Sequence, residues 1–357
     1  MRQLAVISSA YYEDLKKDNE NFTALVDIDN LTIPLGLIDS EHNSPIFNKI
    51  NRNCVLVKKL GFSLNYRDKS IIKFASNLLN ENRKGMNFLP IGSDFVGRII
   101  DKSETVTGMS IGDVVIPNNV YDKYSKGIPT NCSSKEYQYF SESELLVLDS
   151  NFSIEKASVM GIGLVTAHSM IRRSHIKEGD KILITSITSN TSLFLFSLLK
   201  ALYKNDIYAV SFNDSVSKLE GMTKIFSREE MLTNSTMCFD VVFDPFADTY
   251  LKDLLNRLNF GARYVTCGFY SQTKENTSVS LQKLLHSIIS KNIIIIGNCL
   301  GEKEDIHNAL KLVDKGNVDI PLAHTYRYGD SLQEFIDMSF SIKRRLGKIA
   351  YLYNTNE

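Results

Sequence analysis

The sequence has no excess of either charge: 41 Lys and Arg stand against 41 Asp and Glu. A protein built mainly to grip nucleic acid would carry a basic excess or stripe, so a nucleic-acid partner is not expected. There is no apolar run of the ~18 residues that a membrane span needs. The opening, MRQLAVISSAYYEDLKKDNE, has too short an apolar stretch for a signal peptide and turns acidic early. A soluble cytoplasmic protein with no membrane contact is the expectation. Cysteine is sparse and unpaired in pattern: Cys54, Cys132, Cys238, Cys267 and Cys299 lie far apart with no CxxC. That excludes a disulfide framework or a zinc knuckle and leaves five reduced, mostly buried thiols as the expectation. Internal repeats and low-complexity tracts are absent too. What is present is ordinary for a globular protein: 357 residues, 43% hydrophobic and 23% charged. That length suits two domains rather than one core.

The first part of the chain reads as strands and turns. CVLVK (54–58), IGSDFVGRII (91–100), GDVVIP (112–117) and YQYFSESELLVL (137–148) carry the β signal. Helical periodicity begins near residue 154 and runs to 174. Short apolar strands separated mostly by helices follow: KILIT (181–185), IYAVSF (207–212), TKIFS (223–227), DVVFD (240–244), RYVTC (263–267) and NIIIIG (292–297). Such alternation predicts βαβ units around a buried, doubly wound, six-stranded parallel sheet. After residue 300 the character changes, and RRLGKIAYLY (344–353) is a strand that can return to the first domain. The expected division is 1–154, a twisted mainly-β domain; 155–300, a Rossmann domain; and 301–357, the returning part of the first.

The segment KILITSITSNTSLFLFSLLKALY (181–203) combines a strand, a run of small polar residues and an apolar helix. Free backbone N–H groups and the helix dipole at such a turn suit a pyrophosphate. The usual glycines are missing; Ser186, Ser189, Asn190 and Ser192 stand in their place. Ser and Asn favour turns and N-caps, and Asn tolerates positive φ. Thr188, Ser189, Asn190 and Thr191 are the candidate cofactor contacts.

Eight segments, taken in order, resemble the medium-chain dehydrogenase/reductase superfamily: CVLVKKLGFSLNYRD (54–68), IGSDFVGRII (91–100), GMSIGDVVIP (108–117), KASVMGIGLVTAHSMI (156–171), EGDKILITS (178–186), DVVFDP (240–245), GARYVTCG (261–268) and LGKIAYL (346–352). The resemblance implies an α/β architecture with a GroES-like catalytic domain built from both chain ends and a nucleotide-binding domain between them. Zinc-using members place metal ligands where this chain has Asn65, Ser93 and Ile162, and Ile162 cannot coordinate. The cysteine-rich structural-zinc lobe is absent as well. The chain is therefore similar to the zinc-free branch of quinone and enoyl reductases, and no metal is expected.

Candidate chemistry follows from that likeness. Asn65 and Tyr66 in LNYRD lie where zinc-free reductases line the substrate cleft, and either can hydrogen-bond a carbonyl oxygen. Tyr66 can also supply a proton. Ser93 is a further cleft candidate. Thr166 matches a threonine near the nicotinamide. His168, where the family often has an aromatic, reads better as packed or exposed than as a proton donor. Gly268, Phe269, Gly297 and Asn298 follow strand ends, where ligands of open α/β sheets bind, and Lys348 matches a lysine that approaches the cofactor phosphates. At the end of the second strand NAD-binding folds place an acid; here Ser211 stands near that place and Lys218 follows, which favours NADPH, while Asp214 one turn away is the competing reading. The expected activity is NADPH-dependent hydride transfer to a C=C bond conjugated to a carbonyl, in a small molecule or in the dehydroalanine or dehydrobutyrine of a lanthipeptide. A carbonyl or quinone reductase is the alternative, and a non-catalytic nucleotide-binding protein the alternative of another class. A homodimer formed through the NIIIIG edge is expected.

Overall fold

The chain opens with β1 (Arg2–Ile7), α1 (Ser9–Asp18), β2 (Thr23–Ile28) and β3 (Leu31–Asp39). Next come β4 (Cys54–Ser63), α2 (Asp68–Asn80), β5 (Phe88–Pro90), β6 (Asp94–Lys102), β7 (Val114–Pro117), β8 (Tyr137–Ser141) and β9 (Leu145–Val147). Helix α3 (Ile154–Ser174) leads into β10 (Ile182–Ile184), α4 (Asn190–Leu202), β11 (Ile207–Ser211) and β12 (Lys224–Ser227). Then follow β13 (Phe239–Asp244), α5 (Ala247–Leu254), β14 (Leu258–Thr266), α6 (Leu281–Lys291), β15 (Ile294–Gly297) and α7 (Lys303–Asp314). The chain closes with β16 (Leu322–Arg327), α8 (Leu332–Phe340) and β17 (Lys348–Leu352). This computed structural model describes residues 1–39, 53–81, 86–120, 132–149, 152–211, 216, 219–234, 236–271, 280–341 and 345–353.

All six apolar segments after residue 180 enter one parallel sheet, in the order β12-β11-β10-β13-β14-β15. The central strands β10 and β11 are buried along their whole length, which is why they read as unbroken apolar runs. A second sheet runs β16-β17-β4-β6-β7-β9, with β8 on β4. The final strand β17 pairs antiparallel with β4, and β16 lies parallel to β17, so the end of the chain completes the sheet that its first half begins.

One feature was not legible in the sequence: a separate four-stranded sheet, β2-β3-β1-β5. Strand β1 is buried on both faces, with Ala5 and Ile7 in one apolar cluster under α1 and Leu4 and Val6 in the main core. A strand covered on both sides loses the alternation by which a half-exposed strand is recognised.

Helix α3 touches β4, β6 and β17 on one side and α4, α7 and β14 on the other. Its side chains are buried nearly all round, as a helix wedged between two sheets requires. Ser153 caps its start by accepting the Lys156 N–H, and His175 ends it in the left-handed region. Among the described residues, no helix is long and apolar enough to cross a membrane. All five cysteines are free, but four are only half-buried and Cys299 is exposed. The expectation of mostly buried thiols is thus corrected; Cys267 and Cys299 follow the ends of β14 and β15 and line a cleft, where Cys267 also packs against the core.

Candidate active site

A cleft of ≈ 210 Å³ opens at the carboxyl ends of β10, β13, β14 and β15. Its floor is the small-residue turn. Ser186 adopts φ 47°, a left-handed conformation that glycine would take more easily. The turn is held by its own hydroxyls: Ser192 donates to the Thr185 carbonyl at 2.7 Å, and Ser189 accepts the Ser192 N–H at 3.2 Å as N-cap of α4. Serine therefore supplies by side-chain bonding the order that glycines supply by conformational freedom. Thr188, Ser189, Asn190 and Thr191 all line the cleft. The turn and the α4 N-terminus present the donor set that an anionic cofactor needs.

The three positions that align with zinc ligands are tied into a buried network around Asp94. The Asn65 amide donates to Ser93 Oγ at 3.2 Å and to Asp94 Oδ2 at 2.9 Å. Ser93 Oγ donates to Asp68 Oδ1 at 2.8 Å, and the Ile162 N–H to Asp94 Oδ1 at 2.9 Å. Asn119 adds a further donor to Asp94 at 3.0 Å, and the Lys348 ammonium forms an ion pair with it. Gly161 makes the helix contact possible, since a Cβ there would lie 2.5 Å from Asp94 Oδ1. Burial pushes the Asp68 carboxyl up, against the opposing pull of the Asn65 N–H and the Arg67 guanidinium. Among the described residues, no three His, Cys, Asp or Glu gather to hold a metal.

This network revises three expectations. Asn65 lines the cleft, but both N–H groups of its amide are turned inward, so it has no donor left for a substrate oxygen. Ser93 is 1% exposed and bonds Asn65 and Asp68 rather than facing the cleft. Lys348 is equally buried and belongs to Asp94, not to a cofactor phosphate. His168 bonds Asp305 Oδ1 at 2.9 Å, on the α3–α7 contact away from the cleft.

Tyr66, Thr166, Gly268, Phe269 and Asn298 all line the cleft. Asn298 acts as wall: its side chain accepts from Ser169 at 2.9 Å and donates to the Leu300 carbonyl at 2.9 Å. Gly297 ends β15, and its carbonyl accepts from Arg173 at 2.5 Å. Ser211 is buried at the end of β11. Lys218 and Asp214 lie outside the described residues.

Burial pushes the Tyr66 hydroxyl above its ordinary range, reinforced by Tyr270 and Asp248, so it stays protonated. Phe246 and Tyr270 form the outer wall with it. Their ring centroids lie 5.4 and 5.5 Å from that of Tyr66. Asp244 aims Phe246 by accepting its N–H at 2.9 Å, and itself accepts from Thr185 at 2.5 Å and from the Tyr264 hydroxyl.

The residue most plainly missed is Arg345. It lines the cleft, donates to Asn190 Oδ1 at 3.0 Å, and otherwise bonds the carbonyls of Ser339 and Gly347. These bonds join it to neutral groups alone, and burial pushes its guanidinium down to about 10. Among the described residues it bonds neutral groups only, and a half-buried cation so placed beside the 188–191 turn is suited to an anion. Its signal was the Arg just ahead of LGKIAYL, overlooked in favour of the lysine inside that motif.

No protein-family profile matches the chain. Over 286 residues it is 26% identical to acryloyl-coenzyme A reductase of Metallosphaera sedula, covering 72% of this chain and 82% of that protein. Over 270 residues it is 24% identical to human mitochondrial enoyl-[acyl-carrier-protein] reductase, covering 71% and 66%. Its fold superimposes on a thermostable alcohol dehydrogenase from Pyrobaculum aerophilum with a TM-score of 0.72 at 21% identity, covering 99% of this chain and 100% of that one. In sequence and fold the chain is similar to the medium-chain dehydrogenase/reductase superfamily. It is an oxidoreductase with a GroES-like β domain and a Rossmann domain, and the cleft opens at the ends of the Rossmann strands. Thr188 to Thr191 and Arg345 line that cleft together.

Proposed function

We propose that this protein is a zinc-independent, NADPH-dependent reductase that saturates a carbon–carbon double bond conjugated to a carbonyl. The observation that carries the reading is the closed network around Asp94. It fills the metal-ligand positions with mutually bonded groups and leaves the Tyr66 hydroxyl in the same cleft as Thr166. Thr188, Ser189, Asn190, Thr191 and Arg345 would hold the cofactor phosphates, and Thr166, Gly268 and Asn298 the nicotinamide end. When bound, the cofactor supplies the hydride. Tyr66 hydrogen-bonds the carbonyl oxygen of the acceptor, where negative charge grows, and gives its proton to the α-carbon. NADPH is favoured over NADH because Ser211, not an acid, ends β11.

The test is acceptor-dependent NADPH oxidation with crotonyl-coenzyme A, cyclohexenone and benzoquinone as probes. Formation of butyryl-coenzyme A or cyclohexanone in step with NADPH loss is the expected result, from protein without stoichiometric zinc. A second reading, a quinone reductase, is favoured by the aromatic wall of Tyr66, Phe246 and Tyr270, which suits a flat conjugated ring. It prevails if benzoquinone alone is reduced. Consumption of none of the three defeats both.

A further inference from the structure

The described residues that line the cleft include two arginines, Arg67 and Arg345, and no acid. A concave site lined by one sign of charge concentrates ligands of the other. Arg345 is bonded to Asn190 of the turn suited to the cofactor phosphates. Arg67 stands elsewhere, next in the chain to Tyr66, where β4 leads into α2. The link is tight: the Asn65 carbonyl accepts the Asp68 N–H at 2.9 Å, and the Arg67 carbonyl the Ser70 N–H at 3.0 Å. Arg67 thereby takes the N-cap place of α2, with no capping hydrogen bond from its side chain. Ser, Thr, Asp or Asn serves a helix start better, and a cation there opposes the helix dipole. The two carboxylates that act on it belong to the buried network. Asp68 accepts from the Asn65 N–H and Ser93, and Asp94 from Asn65, Asn119, the Ile162 N–H and Lys348. Arg67 is half-buried, and burial lowers its guanidinium against the pull of Asp68 and Asp94. Lys69 adds another cation nearby, its ammonium 3.4 Å from the Tyr66 oxygen and 4.5 Å from the centre of that ring.

We propose that Arg67 is a specificity-determining residue, and that the acceptor is an α,β-unsaturated carbonyl compound carrying a carboxylate, which Arg67 receives while Tyr66 takes the carbonyl oxygen. The inference rests on the reductase reading above and narrows its substrate class. A guanidinium presents a planar fork that matches a carboxylate bidentately. Two adjacent residues thus read two adjacent groups of one small molecule, the anion and the oxygen where charge grows. Selectivity follows, because a neutral acceptor gives the guanidinium no charge to meet.

The experiment offers the full-length, NADPH-loaded protein trans-acetylacrylate and its methyl ester, the same conjugated ketone with and without the charge. Wild type, Arg67→Met, Arg67→Lys, Lys69→Met and Arg345→Met are compared in kcat/KM and in NADPH affinity. Binding of the saturated acid levulinate to the NADPH complex is read by quenching of the cofactor fluorescence. Wild type should prefer the acid by about 10- to 100-fold, the span of one charge-assisted contact. The preference should shrink as salt rises. Arg67→Met should collapse the ratio, mostly through the KM of the acid, and abolish levulinate binding. Arg67→Lys keeps the charge without the fork and should restore part of both. A wild-type ratio at or below one, a ratio unchanged in Arg67→Met, or one lost only in Lys69→Met overturns the inference and leaves the reductase reading standing. So does turnover of the earlier probes with neither acetylacrylate accepted. A loss of NADPH affinity in Arg67→Met as large as in Arg345→Met overturns it too, by placing Arg67 on the cofactor. Wild type that oxidises NADPH with none of these acceptors fells the reductase reading itself and this inference with it, a result distinct from any variant-specific one.

Discussion

Lys348 and Asp94, 254 residues apart in sequence, meet as an ion pair whose side chains are 1% and 2% exposed. The pair joins the last strand of the chain to β6 and closes the network that stands at the metal-ligand positions. Removing one member leaves the other charged and buried, which costs about 3–5 kcal/mol. Lys348→Ala should therefore lower the urea midpoint sharply. Lys348→Met with Asp94→Asn should recover part of the loss, since two neutral groups leave no charge stranded. NADPH affinity of the folded fraction should hold. A loss of affinity as large as that of an Arg345 variant would return Lys348 to the cofactor site.

Arg345 gives the complementary expectation. Its guanidinium bonds Asn190 and two carbonyls, and a bound phosphate would be the charge it lacks. A charge-assisted contact is worth roughly 1.5–3 kcal/mol. Arg345→Met should weaken NADPH and NADH alike by about 10- to 100-fold in fluorescence titration, because both carry the pyrophosphate. Lys218→Ala, by contrast, should weaken NADPH and leave NADH nearly unchanged. A loss restricted to NADPH in Arg345→Met would move Arg345 to the 2′-phosphate.

These two residues mark where sequence reading succeeds and where it stops. The six strands of the parallel sheet were legible because each is a short apolar run with turn residues at its ends. Thr166, inside α3, was placed by its match to the family motif, and the 188–191 turn by a strand end and a helix start that set it locally; both line the cleft. Ser93, the Asn65 amide and Lys348 were misread for a common reason. Whether a polar side chain faces a cleft depends on which distant partner claims it, and Asp94 claims two of them from elements that sequence spacing does not relate. Phe246 and Tyr270 were missed because an aromatic after a strand looks the same in the core and in a wall.

Arg2 and Glu136 set an acid limit on stability. The guanidinium meets the carboxylate at 2.5 and 3.0 Å, and the Arg2 N–H adds a third bond at 3.1 Å. This clamp ties β1 of the N-terminal sheet to the segment before β8. Burial raises the Glu136 carboxyl, but the Arg2 donors outweigh it and the net shift is downward. A carboxyl depressed on folding contributes stability that is complete above its unfolded value of about 4.3 and is lost as pH falls through the folded one. Glu136→Gln should lower the melting temperature at neutral pH and flatten its decline on the acid side. Equal slopes for variant and wild type below pH of about 4 would show that other carboxyls govern acid unfolding.

The edge of the parallel sheet carries the last prediction. Strand β15 pairs with β14 on one side only, and Ile294 and Ile295 on it are 53% and 36% exposed. Helix α6, just before it, exposes Leu281, Leu285 and Ile289 at 68%, 46% and 75%. These three recur every fourth residue and so form one stripe on the helix. An unpaired apolar edge beside an apolar helix face is an aggregation hazard unless something covers it. A second copy of the chain covers both at once, because an edge strand can pair antiparallel with its own twofold mate, and an isologous contact closes without leaving a free edge. The protein should therefore run as a dimer in light scattering at micromolar concentration. Ile294→Lys with Ile289→Glu should convert it to a monomer by placing charges in the contact, while residues of the cleft remain untouched. A wild-type monomer would remove the interface, and a dimer that survives both charges would move it to another face.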